Sequence, residues 1–209
     1  MDDIVKKAMA KWPNVPHCYG WLMLDARGAW RMRTEETQAA DEPGDKIAHV
    51  ALLAFINRNY SHDAQGRWYF QNGPQRVFVN LETTPYVAQT DGKNAFVLHT
   101  REALATIDAA WFTDQGQLIL QSGEKIAQVD DRDLVHCLPM LCMDGDVVDD
   151  ARLLAWVGGV GDQTLTLAYG GKSIKLERIT ADEVASRFGF IRLPQPDAAA
   201  DPTTEQQAQ

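Results

Sequence analysis

The chain has 209 residues, 45% of them hydrophobic, with six tryptophans and a formal net charge of -9. Its length suits one large or two small domains, and its apolar content excludes wholesale disorder. The charge argues against non-specific nucleic-acid binding, which needs lysine and arginine to replace counterions on phosphates.

Three cysteines do not make a disulfide framework, and the odd count points to reduced thiols in a cytoplasm. The acidic start Met1-Asp2-Asp3 lacks the positive charge of a signal peptide. The longest apolar run, residues 50–56, falls far short of the roughly 20 residues that span a bilayer, so no membrane role is expected.

In chain order, residues 4–12 predict a short helix with Ile4, Val5, Ala8 and Trp12 clustered, stopped by Pro13. Residues 20–24 and 29–33 predict a β-hairpin around Asp25-Ala26-Arg27-Gly28. Period-two geometry there sets Trp30 and Met32 against Arg31 and Arg33. Residues 34–44 read as a loop and 45–60 as a largely buried helix. A second hairpin joins residues 67–70 to 77–81, its turn placed at Asn72-Gly73-Pro74. Residues 86–88 and 95–98 form another strand pair around Thr90-Asp91-Gly92-Lys93, and a helix is expected from Thr100 to Trp111, with Leu104, Ile107 and Trp111 on one stripe.

Strands at 118–120 and 126–129 follow, then a short helix from Asp131 to Leu138. Residues 150–157 and 164–179 read as strands, the latter hairpinned at Gly170-Gly171. A capping box, Thr180-Ala181-Asp182-Glu183, starts a last helix at 181–188. Residues 194–209 lack apolar periodicity and read as a disordered tail.

Three segments share a loop glycine followed by an alternating strand, at Gly28, Gly66 and Gly116. Between the second and third, a constant offset of 50 (116 minus 66) also aligns Gln71 with Gln121, Gly73 with Gly123 and Val79 with Val129. Duplication of a hairpin module is one reading, and the shared residue needs of all hairpins the other.

The expected fold is α+β, mainly antiparallel β hairpins with a few helices, in two related halves packed together. Residues 1–14 form a helical arm, 15–89 the first half, 90–193 the second and 194–209 the tail.

Pro16, Cys18 and Gly20, then Gly28 and Trp30, a buried helix, Gly66-Arg67-Trp68-Tyr69 and the segments 72–77 and 81–87 resemble an uncharacterised bacterial family of proteins of unknown function. The likeness covers about residues 16–143, with Tyr19 inserted between Cys18 and Gly20 and Pro74-Gln75-Arg76 replacing the family's Val-Glu-Lys. It implies a duplicated two-domain core, a second half like a pleckstrin-homology fold, a ligand cleft between the halves and a signalling role.

His17, Cys18, His136, Cys137 and Cys142 are of types that zinc accepts, but Cys-x-x-Cys spacing is missing, so buried thiols and ordinary histidines are the favoured reading. The carboxylates at 144, 146, 149 and 150 read as an acidic turn, and Gly158-Gly159-Val160-Gly161 as a turn rather than a phosphate cradle. Trp30, Arg31, Arg33, Trp68, Gln75 and Arg76 are the candidate ligand-binding set, since guanidiniums grip carboxylate or phosphate and stack on aromatic rings. No catalytic residues and no cofactor are expected. The favoured function is a non-enzymatic sensing or regulatory module for a small anionic, nucleotide-like ligand between its halves. A metal-dependent enzyme using the histidines and cysteines, and a structural adaptor for a protein partner, are the alternatives.

Overall fold

The computed structural model describes residues 1–90, 93 and 95–197. It is α+β and divides into two compact units: Met1–Leu24, Trp30–Glu82 and Phe190–Gln209 form the first, and Asp25–Ala29 with Thr83–Gly189 the second.

The first unit runs α1 (Asp3–Lys11), β1 (Cys18–Leu24), β2 (Trp30–Met32), α2 (Glu35–Ala39), β3 (Asp45–Lys46), α3 (Val50–Arg58), β4 (Tyr60–His62), β5 (Trp68–Asn72) and β6 (Gln75–Leu81). Its sheet has the order β3-β2-β1-β6-β5-β4, antiparallel except where β1 joins β6. Helix α3 lies against β5, where Phe55 meets Phe70 edge-on at 5.4 Å. Of the helix expected at 45–60 only Val50–Arg58 is helical, Asp45–Lys46 pairing instead as β3 and Tyr60 opening β4, and it is not largely buried: Ile56 is buried but Val50 is 79% exposed. The loop expected at 34–44 contains α2, because the Thr34 hydroxyl caps it by accepting the Thr37 N–H.

The second unit runs β7 (Tyr86–Gln89), β8 (Val97–Leu98), β9 (Ala109–Thr113), β10 (Leu118–Ser122), β11 (Lys125–Val129), α4 (Leu134–Cys137), β12 (Leu141–Met143), β13 (Asp146–Val147), α5 (Asp150–Val157), β14 (Leu165–Tyr169), β15 (Lys172–Ile179) and α6 (Glu183–Arg187). Its strands follow the order β13-β12-β14-β15-β9-β10-β11-β7-β8 around a core that includes Phe96, Leu118, Leu120, Leu141, Leu165 and Trp156.

Two expected elements are overturned here. The helix at 100–111 does not form: Arg101 takes a φ of +75° and the chain folds back, Leu98 N–H donating to Glu102 O and Leu104 N–H to Phe96 O. Leu104 and Ile107 are buried as expected, but as core plugs in an extended return. Residues 150–157 are helix rather than strand, since Asp149 accepts the Arg152 N–H at 2.8 Å and so satisfies a helix-start amide.

The turn between β5 and β6 falls within the expected Asn72-Gly73-Pro74 but is tighter. Asn72 pairs with Gln75, so Gly73 and Pro74 make the two-residue loop and Gly73 alone carries the positive φ, +58°. At the other expected turn, Asp91 and Gly92 lie outside the described residues, although β7 and β8 pair antiparallel as expected. Of the expected tail, residues 198–209 lie outside the description, whereas 194–197 have a defined course and Pro194 is buried. No helix among the described residues is long and apolar enough to cross a membrane.

The 50-residue offset recurs in three dimensions. Gly66 N–H donates to Asp63 O and Gly116 N–H to Thr113 O; Asp63 N–H donates to Arg67 O and Thr113 N–H to Gln117 O. The Gln71 amide donates to Gly73 O at 2.9 Å, and the Gln121 amide to Gly123 O at 3.2 Å. The strand order β4-β5-β6-β1 in one unit matches β9-β10-β11-β7 in the other, with a parallel final pairing in both.

Candidate functional site

The six residues singled out in the sequence all fall in the first unit but on two faces of its sheet. Trp30 pairs with Leu24 and Leu24 with Leu81, which sets Trp30 on the same face as Val77, Phe70, Trp68 and Gln75. On that face Tyr60 bridges the two tryptophans, at 5.1 Å from Trp30 and 4.8 Å from Trp68, and the Trp30 indole N–H donates to Asn57 of α3. Both tryptophans are buried core residues. Gln75 donates to Pro16 O at 3.0 Å.

Arg31 and Arg76 belong to the opposite face, because Arg31 pairs with Met23 and Met23 with Asn80. They stand two strand spacings apart, about 10 Å, and four residues out of line. Arg31 donates to Gly44 O, and Arg76 lies 4.5 Å over the Tyr69 ring. Arg33 is not on a strand face at all. It is 5% exposed and its guanidinium donates to Glu42 O, Thr37 O and Asp41, tying down the loop around α2. The six therefore do not converge on one ligand.

Among the described residues, no three His, Cys, Asp or Glu side chains come together as metal ligands. His17 lies edge-on to Phe78 at 5.7 Å. Burial pushes the Cys18 thiol up, and pushes the Cys137 thiol up to about 12, so neither is poised as a thiolate. Cys142 is half-buried on β12, and His136 is exposed on α4.

A groove of about 340 Å³ does exist, in the second unit, lined by Trp156, Gly161, Asp162, Gln163, Thr164, Lys175, Leu176, Glu177 and Arg178. Helix α5 positions Trp156 and stops at Gly158, and the glycine-rich turn leads to β14. The Trp156 indole N–H donates to Gln163 O at 2.9 Å, closing this turn. Arg178, on β15, lies 4.3 Å over the Trp156 ring and donates to Trp156 O at 2.7 Å and Gly161 O at 3.1 Å. A fixed cation thus sits at the carbonyl end of α5, where the helix dipole favours it. Lys175 is exposed on β15, three residues before Arg178 and opposite Thr166 of β14. Of the two lining carboxylates, Glu177 is engaged by the Trp111 indole N–H at 3.1 Å and by Arg187 at 3.5 Å, and Asp162 is exposed.

Sequence reading missed this site because it made 150–157 a strand. The signal was present: Asp149 as cap, Leu153, Trp156 and Val157 at helical spacing, and Gly158-Gly159 as a stop.

Two buried polar groups in the same unit have shifted acidity. Burial holds His99 down to about 3, its Nδ1 accepting the Val87 N–H at 3.3 Å. Burial works to raise the Asp130 carboxyl, but hydrogen bonds from the Arg132 guanidinium, the Arg132 N–H and Gln89 outweigh it and bring Asp130 to about 2.

Among solved structures, the chain is similar to a DUF1285 family protein from Silicibacter pomeroyi DSS-3, at 13% identity and a TM-score of 0.48 over 88% of this chain and 98% of that one. It is also similar to a DUF1285 family protein from Shewanella baltica OS155, at 11% identity and a TM-score of 0.38 over 54% of this chain and 85% of that one. No curated protein matches the chain. A family model named DUF2944 and described as "Protein of unknown function (DUF2946)" matches residues 1–195. With nearly its whole length matched, the chain belongs to this family of proteins of unknown function, in keeping with the uncharacterised family that its motifs suggest.

Proposed function

We propose that this protein is a non-enzymatic ligand-binding module and that its second unit takes a small anion, a phosphate or carboxylate group, in the groove at Trp156 and Arg178. The observation that carries the reading is the guanidinium of Arg178, held in place by an aromatic ring and two carbonyls at the edge of the groove. Such a cation is prepared in advance, so little side-chain freedom is lost when an anion arrives. Arginine does not deprotonate, which suits it to recognition rather than proton transfer. The volume lies at the small end of ligand sites, roughly 300 to 1,000 Å³, and so favours a compact metabolite. We also read the two units as copies of one hairpin module, supported by the matching loops and strand order.

Calorimetric titration with inorganic phosphate, nucleoside monophosphates and citrate tests the proposal. Arg178→Gln, which keeps a donor for the Trp156 and Gly161 carbonyls, should weaken the bound anion about tenfold, the size of one charge-assisted hydrogen bond. Binding that ignores this substitution, or no heat with any of the anions, would sink the reading.

A further inference from the structure

The two matching loops differ in one respect that the fold does not require. In the second unit the loop closes with neutral groups: the Thr113 hydroxyl accepts the Gln117 N–H at 3.0 Å and meets the Gln117 side chain at 3.1 Å. At Asp25–Ala29 it closes with the Asp25 carboxylate accepting the Ala29 N–H at 2.7 Å, with no side chain beyond Cβ at the last position. In the first unit Asp63 alone does this work, accepting the Arg67 N–H at 3.0 Å and the Gln65 N–H at 3.0 Å. The guanidinium of Arg67 is therefore additional.

Its Nε donates to Asp63 at 2.8 Å, and its face lies 5.0 Å from the Phe78 ring, which is fully buried. Asp63 already balances its charge. The remaining edge, through NH1, holds a second carboxylate, Asp197, at 2.9 Å. The Asp63 and Arg67 side chains are 11% and 10% exposed, but that of Asp197 is 51% exposed. The chain leading to Asp197 is fastened upstream by backbone bonds, Ile191 N–H to Gly66 O and Leu81 N–H to Arg192 O. Asp197 can thus leave while residues 190–192 stay.

We propose that Arg67 is an oxyanion-binding site of the first unit, occupied in cis by the Asp197 carboxylate, and that a phosphate or carboxylate ligand competes with the C-terminal segment for it. The guanidinium is rigid, backed by an apolar ring and open on one edge only, which is how planar oxyanions are recognised. The resident carboxylate is solvent-exposed and hence weakly held.

The test is titration of the full chain with inorganic phosphate, at ionic strength held constant with chloride, following the Arg67 side-chain N–H signals by NMR. It is run in the Arg178→Gln background, in which the groove of the second unit binds more weakly. Asp197→Asn should raise phosphate affinity at Arg67 by about three- to fivefold, the worth of an exposed ion pair. Arg67→Gln, which puts the glutamine of the matching loop beside Asp63, should abolish phosphate-dependent shifts in the backbone signals of residues 63–67. Equal affinity with and without the Asp197 carboxylate, or phosphate shifts at residues 63–67 that survive Arg67→Gln, would overturn the proposal.

Discussion

Gly44→Ala is expected to be among the most damaging single substitutions in the chain, lowering stability by about 3 kcal/mol or more. Gly44 has a φ of +74°, and a Cβ there would stand 2.2 Å from the carbonyl oxygen of Met32 and 3.0 Å from the Cα of Arg33. Left-handed backbone accounts for about 1 to 2 kcal/mol of the loss. The rest comes from steric overlap with backbone, which cannot swing aside as a side chain can. The same peptide is held by the Arg31 guanidinium bond to Gly44 O and by the pairing of β2 with β3, so relief of the overlap would disrupt both. Gly116 supplies the control. Its φ is +77°, but nothing lies within 4 Å of an added Cβ, so Gly116→Ala should lose only the conformational part. Denaturant unfolding followed by tryptophan fluorescence reads both variants. Equal losses at the two positions would mean that the crowding at Gly44 has no energetic weight.

Acidification below pH 6.5 should weaken the fold progressively, and His99→Asn should blunt that loss. In the native chain His99 is held down to about 3, whereas an unfolded histidine titrates near 6.5. Between those values the unfolded chain binds a proton that the native chain refuses, so stability falls as pH falls. The limiting slope is about 1.4 kcal/mol per pH unit, and the whole window amounts to a few kcal/mol. Asparagine keeps an acceptor for the Val87 N–H without a titrating group, so its stability relative to the parent should rise steadily from pH 7 to pH 4. A constant difference across that range would show that His99 takes no part. Asp130 acts in the same direction but later. Its folded value of about 2 lies below that of an unfolded aspartate, so its contribution is intact above about pH 4 and lost towards pH 2.

Local chemistry made much of the fold legible. The β10–β11 and β14–β15 hairpins follow from glycine turns between alternating apolar residues, and half of the capping box forms, Glu183 accepting the Thr180 N–H at 3.1 Å, although the last helix starts at Glu183 rather than 181. Errors came where sequence spacing and long-range pairing compete. Leu104 and Ile107 have helical spacing, but the backbone of 102–104 gains strand partners at 96–98. Trp30, Trp68, Arg31 and Arg76 have the residue types of one ligand set, although alternation already parts strand neighbours such as Trp30 and Arg31. It cannot say which face of β2 matches which face of β5 and β6.

The order of amino acids by itself determined the turns, the hairpins, the α+β class and the offset that links two loops 50 residues apart, because each depends on φ preferences and side-chain periods within a few residues. Tertiary structure alone decided that Arg33 is buried against carbonyls, that Arg178 lies over Trp156 beside a groove, and that Asp197 reaches Arg67 across 130 residues. Those contacts depend on strand register and on where distant segments return, which no short-range preference encodes.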